Sequence, residues 1–463
     1  MSGKSTKPFR AIVVGGGLVG LTAAHILTKA GIDFIVLEKH KSILTSRGTQ
    51  LAIWPQTFRT FDQLGLLETL QPILDWCKRT IVLSAENACV RGRTVCWSLW
   101  RNSKYHSKCN VYNTEADSYS RFGYAVKFTQ RHQLIKFLFD SLPETAQASI
   151  LLGKAMEKIT SSEDGVTVAC DDGTRHEGSI VIGADGVHSK VRLLTRATRF
   201  AVEPEELSQD QKTPFTTTYR LYFADLPMLP GLAPNTKYDA NHDGMCAQIV
   251  YGKDSGAFGL YEKLEKPTCT PKRYYTEEDK EAMLKRWGQL YIAPGRTISD
   301  VDSFRLGDTG MINLEEGLID DWYWKRTVLV GDSVRKLEPH AGLGYNCGVT
   351  DLVVLVNKMR KLLLEDKSPG SPSLEDLFHS YQADRAEDTL AMSDTSMKAI
   401  RMLAWPDWKY RVIAKYVIPY LPVSSMAVKS IIGPLVAGSP VLEWLKEGAL
   451  PASMVQWKHH PSV

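Results

Sequence analysis

The stretch from Arg10 to Glu38 constrains the fold more than any other. It runs from Arg10–Val14 (RAIVV) into Gly15-Gly16-Gly17-Leu18-Val19-Gly20, then an apolar helical pattern from Leu18 to Ala30, then a second apolar run, Phe34–Leu37, closed by Glu38. Strand, glycine turn, helix and strand in that order make a βαβ unit and the start of a parallel sheet. In this G-x-G-x-x-G spacing Gly15 permits a tight turn, Gly17 lets the backbone approach a pyrophosphate, and Gly20 lets helix and strand pack closely. The helix start turns unpaired N–H groups and a positive dipole end toward phosphates. Glu38, about 20 residues on, stands where a carboxylate accepts hydrogen bonds from a ribose diol.

With 463 residues, two or three domains are expected at roughly 150 residues each. Apolar residues at 43% and charged residues at 23% are ordinary globular usage and argue against a largely disordered chain. The net charge of +4 comes without a long basic run, so nucleic acid is excluded as an indicated partner. Cys77, Cys89, Cys96, Cys109, Cys170, Cys246, Cys269 and Cys347 form no CxxC, so no metal site is expected. Four of them fall between 77 and 109, which leaves a disulfide cluster open. Met1–Arg10 is polar and holds no apolar signal segment, so reduced thiols in the cytoplasm are the expectation.

Further along, Pro55–Leu70 and Arg131–Leu142 carry amphipathic helical spacing. Residues 77–125 lack a period and read as strands within a long excursion. Val166–Cys170, DDG and Ile180–Ile182 read as a hairpin leading into a strand. Residues 203–214 read as an exposed acidic loop, and 215–265 alternate as an antiparallel sheet would. Thr327–Val330 reads as a buried strand and Gly348–Leu364 as a long apolar helix. Residues 366–373 (DKSPGSPS) are the clearest linker, with a helical tail beyond. The apolar stretches Tyr416–Val428 and Ser430–Leu442 are broken by prolines and too short to span a bilayer. The tail is expected to pack on the body, with peripheral contact to an internal membrane as the alternative.

Two more motifs follow strands: Gly183-Ala184-Asp185-Gly186-Val187-His188-Ser189 with Arg192, and Gly331-Asp332-Ser333 with Pro339-His340-Ala341-Gly342-Leu343-Gly344-Tyr345-Asn346. A carboxylate at a strand end can bind a sugar-like hydroxyl, and a glycine-rich loop opening a helix can offer N–H donors to an anionic ring edge. GxGxxG, GADG and GD in that order resemble the FAD-dependent monooxygenases related to p-hydroxybenzoate hydroxylase, over roughly residues 10–390. More narrowly, GTQLAIWPQTFRTFDQLGLLE, FTQRHQLIKFLFD, TTTYRLYF and GDSVRKLEPHAGLGYNCGVTDLVVLVNKM are similar to the fungal members of meroterpenoid and indole-diterpene biosynthesis.

The resemblance implies an α/β fold: a Rossmann-type FAD-binding domain (residues 1–80, 125–200 and 325–365), an inserted mixed or antiparallel β-sheet substrate domain (81–124 and 201–324) and a C-terminal helical extension (366–463). It implies FAD held by Gly15, Gly17, Gly20, Glu38 on the adenosine ribose, Ala52 through its backbone, Arg131, Asp332 on the ribityl or pyrophosphate region, and Gly342, Gly344 and Tyr345 beside the flavin. Asp185 and Arg192 would stabilise the fold around the cofactor and the reductant's approach. No second GxGxxG is present, so NADPH as transient reductant is implied by the family alone. The implied reaction uses O2 through a flavin C4a-hydroperoxide to epoxidise a prenyl alkene, or hydroxylate, in a bulky apolar fungal metabolite. A dry cavity keeps the oxygen from being lost as hydrogen peroxide.

Tyr219 and Arg220 lie in TTTYRLYF, where the family places its sheet over the flavin. Tyr219 could orient substrate; Arg220 could donate to a substrate oxygen or to the flavin. Strand alternation sends them to opposite faces, so at most one enters the cavity. The third motif departs from the family, which carries histidine at Arg335, a small polar residue at Glu338, asparagine at His340 and often glutamine at Leu343. Glu338 or His340 is therefore a candidate for acid–base chemistry beyond oxygen transfer. The alternatives are aromatic hydroxylation, or a flavin-retaining cyclase or isomerase using Glu338 and His340. Trp322-x-Trp324 is similar to the WxWxIP of flavin halogenases but continues Lys325-Arg326, so halogenation is not expected.

Overall fold

The computed structural model describes residues 8–44, 50–86, 110–112, 122–269, 274–417 and 432–463. Arg10–Val14, Asp33–Glu38, Ile180–Gly183 and Thr327–Leu329 are short β-branched runs buried nearly throughout. Strands covered on both faces read this way, and these pair in parallel. With Ile150–Leu152 and the antiparallel edge Tyr323–Trp324 they make a six-stranded sheet. Val14 stands in register with Leu37 and with Gly183, so the first two glycine motifs leave the sheet side by side. Helix Leu18–Ala30 packs on this sheet and against the long helix Gly344–Glu365, which in turn packs on Ser371–Ala404.

A second sheet has eight strands, in the order Arg335–Lys336, Leu306–Leu318, Thr216–Pro227, Ser255–Thr268, Met245–Tyr251, Thr236–His242, Arg79–Ser84 and Asn110–Tyr112. It is antiparallel except where Thr236–His242 runs parallel to Arg79–Ser84. One face packs on helices Glu277–Trp287 and Ile298–Asp302 through Tyr222, Ala224, Phe258 and Leu260. The other carries Tyr219, Leu221, Cys246, Tyr261 and Leu314, and meets Ile400 and Ala404 of helix Ser371–Ala404.

Several sequence expectations shift. Pro55–Leu70 is not one helix: Pro55–Leu64 ends at Gly65 in the left-handed region (φ 77°), and Leu67–Leu70 starts again. Residues 203–214 are not a plain loop; Pro204–Glu206 and Gln209–Lys212 each form a short turn with a capping box. The linker is shorter than DKSPGSPS, because Ser371 and Pro372 open a helix that proline suits at its first turn. Most of the 77–125 excursion, with Cys89, Cys96 and Cys109, lies outside the described residues, whereas Cys170, Cys246, Cys269 and Cys347 are thiols.

Beyond the short turn Gly433–Ala437 the chain is an irregular strap laid over helix Pro55–Leu64. The Gln63 amide donates to Leu442 O and Leu445 O (both 2.8 Å) and accepts from Leu442 N at 2.9 Å. Arg59, buried, is bidentate to Glu447 (2.5 and 2.7 Å), donates to His459 O, and lies 4.4 Å over the Trp457 ring. This part of the tail packs on the body. Among the described residues no helix is long and apolar enough to cross a membrane.

Candidate active site

The cleft is built on the glycine turn. Gly15 adopts φ +108°, and a Cβ there would meet Ala184 O at 2.6 Å, so the first two motifs touch. A Cβ at Gly20 would lie 1.9 Å from Gly15 O, whereas one at Gly17 would meet nothing within 4 Å. Gly15 and Gly20 are thus required by packing. Gly17 is not, and it stands at the N-cap of helix Leu18–Ala30. That terminus has no side-chain cap and no acidic residue in its first turn, so its N–H groups and dipole are left for an anion. Glu38 is buried and accepts from Gly16 N (2.7 Å) and His40 N (2.9 Å). A carboxylate has about four acceptor sites, so bonds to a ribose diol remain open to it.

The Gly331-Asp332 turn and the start of helix Gly344–Glu365 close on the same place. Cβ atoms at Gly331 and Gly348 would come within 3.2 and 2.7 Å of Val19 Cγ2, so only glycines let the two helix starts converge. Asp332 pairs with Lys336 at 2.8 Å. Arg131 stays solvent-accessible although protein surrounds it on most sides. That crowding lowers its pKa, while Asp332 and Tyr345 favour its charge. Burial likewise works against Lys336, but Asp332 outweighs it and holds the ammonium above its ordinary pKa. Tyr345 is buried, its hydroxyl 2.9 Å from Thr22 Oγ1 on the first helix. The cleft therefore sets cations and a carboxylate beside two helix N-termini, which suits a pyrophosphate and a polyol.

Strand Gln50–Ile53 forms the adjoining wall. Gly342 needs its φ of +62° and its missing side chain, since a Cβ would meet Ala52 Cβ at 2.5 Å. Asn346 staples the two segments: its Nδ2 donates to Ala52 O (3.0 Å) and its Oδ1 accepts from Trp54 N (2.9 Å) and Thr57 Oγ1 (2.7 Å). Asp185 caps helix Lys190–Phe200, accepting from Ser189 Oγ (2.5 Å) and Val191 N (3.0 Å). Arg192 reaches from that helix to Ser333 O (2.9 Å) and Val187 O (2.7 Å), tying the second motif to the third.

Arg335 does not face this cleft. It is fully buried and bonds Asp351, which also accepts from Arg385 Nε (3.0 Å) and Gly331 N (2.9 Å). Burial alone would lower the Arg335 pKa; Asp351 reverses that and raises it.

The second sheet supplies the opposite wall, and strand parity decides who is on it. Tyr219 lies on the face that meets the loop after Lys336, fully buried, its hydroxyl without a hydrogen-bond partner. Arg220 points the other way and salt-bridges buried Glu262 (2.5 Å), which also takes Arg286 and Trp287 Nε1. Tyr219 and Glu338 are thus brought together and Arg220 is not. Glu338 is fully buried with both carboxyl oxygens unpartnered; its backbone oxygen accepts from Ser396 Oγ at 2.7 Å. Burial, reinforced by Glu316, pushes its carboxyl well above the usual range. The His340 ring centroid lies 4.0 Å from that of Tyr261, and its Nε2 lies 3.3 Å from Cys246 Sγ. Burial, with Lys237 adding to it, takes His340 down to about 3. Burial raises the Tyr219 hydroxyl, the Tyr261 hydroxyl and the Cys246 thiol.

Lys336, Asn346, Asp351, Cys246 and Tyr261 were given no role from the sequence. Asp351 left a signal there, an acid inside the apolar run GVTDLVVLV.

A Rossmann-type sheet, an uncapped glycine turn, an acidic second strand and a polar cleft closed by a second helix start define a dinucleotide-binding flavoprotein. Residues 9–204 match the family model described as the FAD binding domain. The chain is 31% identical over 418 residues to the FAD-dependent monooxygenase ausM of Penicillium brasilianum, covering 89% of this chain and 82% of that one. It is 28% identical over 436 residues to the FAD-dependent monooxygenase spyC of Aspergillus fumigatus, covering 92% and 86%. Klebsiella pneumoniae HpxO, solved with FAD and uric acid, shares the fold at a TM-score of 0.69 and 18% identity, over 92% of this chain and 97% of that one. The chain belongs to the FAD-dependent monooxygenases. FAD is its cofactor, and O2 and a small molecule are its substrates.

Proposed function

We propose that the protein epoxidises a prenyl alkene of a bulky apolar fungal secondary metabolite, probing it between the Tyr219 sheet face and the loop from Glu338 to Tyr345. FAD, when bound, supplies the oxygen-activating chemistry, with NADPH as reductant. In this reading Gly15, Gly17 and Gly20 admit its pyrophosphate, Glu38 takes the adenosine ribose, Arg131 and Asp332 take the pyrophosphate and ribityl region, and Ala52 and Gly342 to Tyr345 border the ring. Residues 81–124 and 201–324 form the substrate domain.

One observation supports alkene over phenol. Apart from Glu315 and the Lys237–Asp239, Glu316–Arg401 and Lys336–Asp332 ion pairs, the titratable groups gathered here are held uncharged: Glu338, His340, Tyr219, Tyr261 and Cys246. A phenol gains from a base that raises ring electron density. An alkene needs only placement in a dry site. A second reading rests on the same carboxyl: neutral Glu338 is equipped to hand a proton to substrate, as a cyclase requires. Purified enzyme given NADPH, 18O2 and a prenylated substrate should yield product carrying one labelled oxygen as an epoxide. A labelled phenol would replace epoxidation with aromatic hydroxylation, and product formed anaerobically would replace both with cyclisation.

A further inference from the structure

We propose that the substrate carries a carbonyl oxygen beside its apolar skeleton, and that Tyr219, Glu338 and His340 hold this oxygen as hydrogen-bond donors. The inference deepens the function proposed above and rests on its bulky apolar substrate.

Three side chains, one from the second sheet and two from the loop after Lys336, leave polar atoms unpartnered in one interface: Tyr219 Oη, both carboxyl oxygens of Glu338 and His340 Nδ1. Each is shut away from solvent, and a buried donor without an acceptor costs free energy that a ligand acceptor recovers. The strand register assembles them. Tyr261 pairs with Cys246, and Tyr219 lies two residues from Leu221, the other partner of Tyr261, so all three face the loop. The loop then sets His340 against Tyr261 and Cys246.

Their proton states make them donors. An imidazole nitrogen is a stronger acceptor than a thiol sulfur, so Cys246 Sγ–H donates to His340 Nε2 and the ring proton sits on Nδ1. The charges facing Glu338 are Glu316, Glu315, Arg401 and Lys336. Arg401 is bidentate to Glu316 (2.8 and 3.1 Å), which also accepts from Thr218 Oγ1, and Lys336 is paired with Asp332. Glu338 therefore has no cation of its own and keeps its O–H. Tyr219, with the same Arg401 committed elsewhere, keeps its phenolic proton. Two O–H groups and one N–H suit an oxygen that only accepts, as a ketone or ester carbonyl does. A phenol brings a competing donor of its own.

The test uses FAD-loaded, oxidised protein, so no turnover is involved. A farnesyl-substituted cyclohexanone, the matching cyclohexane and the matching phenol are titrated, and binding is read from the flavin absorbance. The ketone should bind at least about tenfold tighter than the hydrocarbon, the worth of one or two net hydrogen bonds. Tyr219→Phe and Glu338→Leu should each cut that ratio several-fold while hydrocarbon affinity holds. Glu338→Gln, which keeps a donor, should preserve it. Equal binding of ketone and hydrocarbon, tighter binding of the phenol, or variants that weaken all probes alike would overturn the inference and leave the oxygenation reading standing. If no probe binds, the apolar-substrate reading fails and takes the inference with it.

Discussion

Asp351 is the residue whose loss should be felt furthest. It is fully buried in the helix Gly344–Glu365 between two buried guanidinium groups, Arg335 and Arg385, and it also holds Gly331 N at 2.9 Å. Arg385 has one further acidic contact, to Asp388 at 3.5 Å, and that carboxylate is partly exposed to solvent. Asp351→Ala therefore strands buried positive charge and frees the Gly331 amide. Removing one partner of a buried ion pair costs about 3–5 kcal/mol. For a chain of this length the unfolding entropy is roughly 1 kcal/mol/K, so Tm should fall by about 3–5 °C. Asp351→Asn should cost stability too, yet retain the Gly331 bond. The gap between Asn and Ala in FAD affinity, measured by equilibrium titration of apoprotein, isolates the anchoring of the Gly331–Ser333 turn. The triple change Asp351→Leu, Arg335→Met, Arg385→Met leaves no stranded charge and should recover most of the lost Tm. Thermal melts of the apo and FAD-loaded forms decide the matter. An Asp351→Ala melt within 1 °C of wild type, or a triple variant worse than the single, would refute the reasoning.

Three further outcomes are expected. Glu38→Ala removes a charge-assisted acceptor at the ribose position, each such bond being worth about 1.5–3 kcal/mol, so FAD should bind roughly 10- to 100-fold more weakly in a fluorescence titration. The raised Glu338 carboxyl means the folded state holds a proton that the unfolded state releases above its ordinary pKa of 4.5. Stability should accordingly fall as pH rises from about 5 toward 8 relative to Glu338→Gln; parallel denaturation curves across that range would remove the claim of a neutral carboxyl. Truncation after residue 431 strips the strap from Arg59, Gln63 and the Leu442 contact, so the protein should aggregate as apolar surface is uncovered. A monodisperse truncated enzyme that had lost binding to liposomes would restore the membrane-surface alternative.

What could be read locally was read well, because it is encoded by near neighbours. The glycine turn, its flanking strands and Glu38 lie within one βαβ unit, and their spacing alone dictates a phosphate-facing helix start. Strand alternation already required that Tyr219 and Arg220 part company. Which of the two meets the loop depends on how the second sheet packs, and helix Ser371–Ala404 covers the Tyr219 face. Arg335 stood out in the sequence as a departure in a loop expected at the flavin. Its partner Asp351 lies 16 residues further on and is shared with Arg385, so only the packing of two helices turns Arg335 inward to a buried ion network. Glu338, Tyr219, Cys246 and His340 come from three separate elements with no shared period. Their meeting, and the uncharged state that burial imposes on each, is a property of the desolvated interface and was not available to any reading of the chain in one dimension.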